Sequence, residues 1–243
     1  MKPLILMIQF LTRIPLKVTL DVTDDDFTSG FKYFPVVGSI IGGLIYAIHF
    51  ILHPYFNGFT LAVILTLSYI YITGGLHMDG LSDSADGLFS GRSKERILEI
   101  MKDSRIGSNG ALAMVFVVLL KVAFFYEIDA AALGKLLLTL PMMSKYVVVF
   151  TSAFSRYARE DGMGNWFIGK VSGVDFLLAT IYTIGITTLI EPRHLVLLAG
   201  GLCFGWLFRR FCYSHIDGMT GDTIGALSEL ADVVILCVGA LFL

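Results

Sequence analysis

The sequence predicts an all-α, polytopic transmembrane bundle of about seven spans, led by an N-terminal helix that lies in the interface or re-enters the bundle. Three observations predict it. The 243 residues are 56% hydrophobic and 16% charged, with mean hydropathy +0.77, against about 45–50% and about 25% in ordinary soluble domains. Apolar runs of about 16–22 residues recur along the chain, the length a bilayer core requires. The basic residues, finally, gather on alternate connectors, as the positive-inside rule demands of a threaded chain.

Met1 to Leu20 is apolar but broken by Arg13 and Pro15. It lacks a basic leader followed by a small-residue cleavage site, so a signal peptide is not expected, and a short interfacial or re-entrant helix fits it better. Asp21 to Ser29 reads as an acidic, polar connector. Spans are then expected at Phe34–Leu52, Phe59–Gly75, Ala111–Tyr126, Leu136–Phe154, Val174–Ile190, Leu195–Phe208 and Ile224–Leu243. The sixth is short and either extends to Tyr213 or tilts. With no repeat and no connector long enough to fold alone, residues 1–243 read as a single integral membrane domain.

With the N-terminus inside, 14 Lys and Arg residues fall on inside segments and only Lys135 and Arg193 outside, while Lys121 and Lys145 sit within spans. The bias supports an odd number of spans, and the C-terminus should face outward. It also gathers the polar connectors, Leu76–Gly110, Ser155–Gly173 and Arg209–Thr223, on the inner side. No basic stretch suggests nucleic acid. Cys203, Cys212 and Cys237 show no CxxC or His pairing and read as packing residues.

The chemistry-bearing stretch is HMDGLSDSADGLFSGRSKERILEIMKDSRIGSNGA, His77 to Ala111. Asp79, Asp83 and Asp86, spaced i, i+4, i+7, fall within roughly a 60° arc of one helix face. Neighbouring carboxylates about 6 Å apart repel by about 3 kcal/mol at an effective dielectric of 20. A carboxylate within the bilayer costs about 2.5–3.5 kcal/mol more on insertion scales. All-oxygen ligation suits Mg²⁺ or Mn²⁺ as the offsetting cation and does not suit zinc. The alternative is a helix end in water with merely solvated aspartates; against it, no basic residue occurs between Asp79 and Arg92 to make a salt-bridged face.

Arg92 to Glu99 reads as a charged surface helix. Lys102, Asp103 and Arg105 precede Gly107, Gly110 and the next span, where two cations and a carboxylate either hold a diphosphate and a metal ligand or anchor the span at the membrane edge. Arg156, Arg159, Asp161, Gly162, Gly164 and Asn165 make a second polar loop. HIDGMTGDTIG, His215 to Gly225, places Asp217 and Asp222 before the last span, and Glu229 and Asp232 continue inside it, where carboxylates should face the bundle interior. Carboxylates that hold a metal beside phosphate-sized cation pockets suggest displacement at a diphosphate, with an aspartate as proton acceptor.

On these residues the chain resembles the cobalamin synthase family, also called adenosylcobinamide-GDP ribazoletransferases. The likeness covers nearly the whole chain, through FLTRIP (Phe10–Pro15), YFPVVGSIIGG (Tyr33–Gly43), GGLHMDGLSDSADGL (Gly74–Leu88), EIMKDSRIGSNGALA (Glu99–Ala113), YAREDGMG (Tyr157–Gly164) and GDTIGALSEL (Gly221–Leu230). Met78 and Ser82 stand where related chains often carry Leu and Ala, and every acid is kept. The resemblance implies that α-ribazole, or its 5′-phosphate, attacks the diphosphate of adenosylcobinamide-GDP and releases GMP, with Mg²⁺ as cofactor. The chain would be a multi-pass protein of the cell (inner) membrane with its active face cytoplasmic. It leaves room for a homo-oligomer and for contacts with other enzymes of the corrinoid pathway.

Reading chemistry onto the motif makes Asp79, Asp83, Asp86 and Asp103 the metal ligands, with Asp83, Asp86 and Asp103 as the catalytic acids. His77, Lys102, Arg105, Arg156, Arg159, Asp217, Asp222 and Glu229 are then the substrate-binding set. CDP-alcohol phosphotransferases also cluster aspartates on membrane helices, but their DGxxAR signature is absent here, which leaves an analogy. Two other readings are a cation-coupled transporter, whose acids usually lie near midplane within an internal repeat, and an aspartate-rich prenyltransferase.

Overall fold

The computed structural model describes residues 1–56 and 58–243, and among these the helices follow the apolar pattern closely. Helix α1 (Lys2–Leu11) opens with Pro3 in the first turn, where its missing amide proton is not needed, and buries Leu6, Met7 and Leu11. It is too short to cross a bilayer. The segment 21–29, expected as a plain connector, instead forms helix α2 (Asp24–Gly30). Local chemistry explains the difference. The Thr23 amide and hydroxyl donate to Asp26 Oδ2 at 2.9 and 2.8 Å in a capping box, and three aspartates in the first turn favour the positive helix end. One 3₁₀ turn, Phe31–Tyr33, carries the chain into α3 (Phe34–Leu52).

Helix α4 (Gly58–Thr73) stops at Gly74 and Gly75, both at positive φ (68° and 73°), a conformation that costs glycine nothing. The next helix, α5 (Leu76–Leu88), leaves at 92° to α4 and so does not continue its crossing. After α6 (Lys94–Ile100) come α7 (Ser108–Glu127), α8 (Ala130–Ala153), α9 (Gly173–Ile190), α10 (His194–Ile216) and α11 (Gly221–Phe242). Six helical stretches, 24–52 and α7 through α11, are long and apolar enough to span a membrane. Helix α4, of 16 residues, runs from one face toward the other, and the bent pair α4–α5 brings the candidate crossings to seven. Its first residue, Gly58, packs beside Tyr126 at one face, while near its far end the Ile72 carbonyl accepts the Arg13 amide at 2.8 Å. The expected sixth span is longer than its hydropathy. Arg209 and Arg210 end the apolar run but not the helix, because the Arg209 guanidinium stacks on Trp206 and Tyr213 and its Nε donates to the Phe154 carbonyl at 2.9 Å.

Helix α8 is the axle of the bundle, buried along most of its length. Helix α3 lies on it with Gly38 and Gly42 against the α8 backbone between Leu137 and Met142, the small-residue contact by which membrane helices approach closely. Helix α9 is peripheral and mostly exposed on its flanks. It is tied at both ends, by Lys32 to Asp175 at 2.6 Å and by Lys135 to Glu191 at 2.8 Å. Inside the bundle Lys121 of α7 pairs with Glu229 (2.6 Å) and Asp232 (2.8 Å) of α11, Tyr69 of α4 donates to Asp232 (3.1 Å), and Lys145 of α8 donates to Ser228 (2.7 Å). Two lysines and two acids thus balance within the membrane, which meets the cost of burying any one of them.

Candidate functional site

The polar site forms where α5 crosses the start of α11. Gly80 permits the crossing, since a methyl group there would lie 2.8 Å from the Asp222 carbonyl oxygen. Contact at that point brings Asp79 and Asp83 of one helix to Asp222 of the other, whose start is fixed by a capping box between Thr220 and Thr223. The three α5 aspartates share a face as their spacing predicts. Burial, then the charges of Asp79, Asp222 and Asp86, push the Asp83 carboxyl up to about 6, with only Arg159 acting in the other direction.

Arg159 is held over this cluster by two connectors stitched together. The Ala158 amide donates to the Met219 carbonyl (2.9 Å) and the Met219 amide to the Arg156 carbonyl (3.0 Å), the one isolated β-bridge among the described residues. The Arg159 Nη2 lies 2.8 Å from Asp222 Oδ2, with its side chain only 12% exposed. Nη2 is thus engaged by the Asp222 carboxylate, while Nε has no hydrogen-bond partner among the described residues. A buried guanidinium with donors to offer, facing acids, is suited to phosphate oxygens.

Other expected residues are placed elsewhere. Both oxygens of Asp86 accept backbone amides at the start of α7, from Gly107 (2.7 Å) and Gly110 (2.9 Å). Gly107 has no side chain with which to cap α7, and Asp86 supplies the cap from another helix. Asp103 lies apart from the cluster, bound through both oxygens to Arg105 (2.6 and 3.1 Å), which holds its carboxyl down at about 2. Arg105 itself is 88% exposed. Lys102 lines an open groove with Lys94, Glu99, Arg159 and Asp161. The Arg156 amide donates to the Tyr213 hydroxyl (2.7 Å) and its guanidinium to the Asp217 carbonyl, so it fastens the turn after α10. Asp217, in the left-handed conformation at φ 57°, reaches Lys94 at 3.1 Å. Glu229 is deep in the ion pair with Lys121, and His77 is buried at the start of α5.

Sequence reading did not pair Lys121 with Glu229 and Asp232. The signal was present, as two lysines and two acids within spans, each of which needs a partner in hydrocarbon. As for a metal, the donors are all carboxylate oxygens, and among the described residues no three acids, histidines or cysteines are placed to hold an ion unaided. The four-aspartate ligand set is therefore not assembled; the oxygen donors of Asp79, Asp83 and Asp222 are of the kind Mg²⁺ takes together with waters and substrate phosphates.

Comparison with known proteins places the chain in a family. A family model described as cobalamin-5-phosphate synthase matches residues 3–240. The chain is 44% identical over 236 residues to the adenosylcobinamide-GDP ribazoletransferase of Clostridium novyi (strain NT), covering 96% of this chain and 94% of that one. It is 42% identical over 247 residues to the protein of the same description in Clostridioides difficile (strain 630), covering 97% and 96%. That in Caldanaerobacter subterraneus subsp. tengcongensis is 40% identical over 238 residues, with 96% of each chain covered. No solved structure matches. A membrane-threaded bundle that crosses an aspartate helix with the start of its last span, and that follows this model almost from end to end, belongs to the cobalamin-5-phosphate synthase family.

Proposed function

We propose that the chain is a magnesium-dependent adenosylcobinamide-GDP ribazoletransferase. It joins α-ribazole, or its 5′-phosphate, to adenosylcobinamide-GDP and releases GMP, which closes the nucleotide loop of adenosylcobalamin or its phosphate. The ribose hydroxyl oxygen forms a bond to the phosphorus that carries the corrinoid, the bond from that phosphorus to GMP breaks, and the hydroxyl proton leaves. The reading is supported by one observation, the half-open Arg159 guanidinium, paired with Asp222 beside Asp83 and with its Nε unpartnered among the described residues.

Arg159 binds phosphate oxygens and orients the diphosphate. Asp83 accepts the hydroxyl proton, because it is the carboxylate that stands between Asp79 and Asp222 without an arginine of its own. Asp79 and Asp222 would hold Mg²⁺ (Mn²⁺ in its place) together with phosphate oxygens, and the bound ion supplies neutralisation of the phosphate charge. The site faces the cytoplasm across the cell (inner) membrane, on the side where the basic connectors gather. The purified chain in liposomes, given both substrates and magnesium, should release GMP and cease to do so with excess EDTA. Turnover undiminished by the chelator would remove the metal from the scheme, and no GMP release at all would remove the reaction.

A further inference from the structure

Outward from Arg159 the acidic site opens into a polar groove that the proposed chemistry leaves unfilled. One wall is α6 and the turn after it, with Lys94, Glu99 and Lys102, and the other is the loop after α8, with Arg159, Glu160 and Asp161. The groove holds about 650 Å³, within the range of small-ligand sites. Arg159 belongs to both places, because its Nη2 reaches Asp222 while its buried Nε has no partner among the described residues. Both walls are tied down. The Tyr157 hydroxyl donates to the Asp161 carbonyl at 3.1 Å, and the Lys102 amide donates to the Glu99 carbonyl at 3.0 Å. Lys94 is engaged by Asp217 and Glu99 by Arg96. Lys102 on one wall and Asp161 on the other are then a cation and a carboxylate that a ligand can meet, and both are exposed.

A ligand suited to this groove carries an anion for Arg159 and Lys102 and a pair of N–H donors for Asp161. The parts of the proposed substrates differ in these respects. The corrinoid half of the donor is bulky and fringed with neutral amides, which have no use for a lysine set against a carboxylate. The base of α-ribazole has no N–H to donate. A guanosine phosphate has its anion at one end and, at the other, N1–H beside the 2-amino group, a pair that one carboxylate accepts together. Adenine presents no such pair. We propose that the groove between α6 and the loop after α8 holds the GMP half of adenosylcobinamide-GDP, with Lys102 on the departing phosphate and Asp161 on the guanine edge. The inference rests on the proposed ribazole transfer and adds the seat of its leaving group. When the bond from the corrinoid-bearing phosphorus to the bridging oxygen breaks, that oxygen leaves on GMP with the electron pair, and Lys102 faces the charge that develops there.

The test is calorimetric titration of GMP and of AMP into the full chain in lipid nanodiscs, with magnesium present. Because Lys102 and Asp161 are exposed, their substitution does not threaten folding. The wild type should bind GMP about tenfold or more tightly than AMP, the scale of one bidentate contact to a base edge. Asp161→Asn should remove most of that preference, since its amide offers a single acceptor oxygen where the carboxylate offers two. Lys102→Gln should weaken both nucleotides alike, by about fivefold, and keep the preference. The assignment is overturned if the wild type binds GMP no better than AMP, or binds neither. It is also overturned if the preference survives Asp161→Asn, or if Lys102→Gln leaves both affinities unchanged. In turnover, each variant should raise the KM for adenosylcobinamide-GDP and leave that for α-ribazole within about twofold; an equal rise in both would also overturn it. A wild type that selects GMP in the titration but releases none from the two substrates would remove the ribazole-transfer reading and leave the groove as a guanine-nucleotide site.

Discussion

Arg159 and Arg105 are the two arginines nearest to phosphate chemistry in the sequence, and the structure gives them opposite situations. Arg105 is exposed and closed on its own neighbour Asp103, whereas Arg159 is nearly buried, pairs with Asp222, and keeps its Nε without an acceptor among the described residues. Replacing Arg159 with Lys keeps the charge and loses the planar fork, so kcat/KM should fall by about 10²-fold or more, the scale of one preorganised electrostatic contact. The same change at Arg105 should cost little, because an exposed pair contributes about 0–1 kcal/mol. Equal losses at both sites, normalised to inserted protein, would move the phosphate grip outward to Lys102 and Arg105. The aspartates divide similarly. Asp83→Asn should lower kcat at saturating magnesium, while Asp79→Asn should mainly raise the magnesium concentration needed for half-maximal rate. A titration of rate against magnesium in each variant distinguishes a proton acceptor from a metal ligand, and identical curves would contradict the division.

At the scale of elements, Asp86 shows how a functional-looking residue can serve the scaffold. Its two oxygens hold the start of α7 against α5, and the amide of Asp86→Asn can accept through only one. The variant should lose about 1 kcal/mol at that cap, visible as faster hydrogen exchange at residues 107–111; unchanged exchange there would mean that the cap is dispensable. Much of this level was legible beforehand. The spans follow from runs of apolar residues, and the shared face of Asp79, Asp83 and Asp86 follows from helical spacing alone. What stayed hidden depends on contacts between distant segments. Nothing local in Gly80 announces that it lets Asp222 approach, and nothing in Arg156 announces that its guanidinium fastens a turn 61 residues away. Helix α2 was hidden for the reverse reason, since its short-range capping box lies in a stretch whose acidity reads as a loop.

The whole molecule sorts its loops by face. The N-terminal segment, α5, α6 and the connectors after α8 and α10 meet at one side, and the turns near Gly58, Tyr126 and Glu191 lie at the other. Because α11 begins at the acids and runs 22 residues from them, the C-terminus emerges at the opposite side. A reporter fused after Leu243 should therefore be active only outside the cytoplasm, and one inserted at Gly91 only inside; the reverse pattern would invert the proposed orientation. The buried ion pairs belong to this scale too, because they join α7, α8 and α11 at depth. Both acids there share Lys121, and Lys145 donates to Ser228 beside them, so neither intramembrane acid is left without a partner.

The tethering of α9 at both ends has a consequence for the company the protein keeps. Its 18 residues rise about 27 Å, close to the hydrocarbon thickness of a thin bilayer. A lipid-facing rod pinned to its neighbours near each interface is not free to lean when the surrounding lipid thickens or thins. Mismatch at α9 should therefore be felt through Lys32 near the start of α3 and through Lys135 in the second turn of α8. Turnover measured across a series of phosphatidylcholines of increasing acyl length should peak near the thickness that α9 matches. Cutting one tether with Lys135→Gln should broaden that peak, since the rod can then tilt. A flat profile for the wild type, or one whose width Lys135→Gln leaves unchanged, would show that α9 measures nothing.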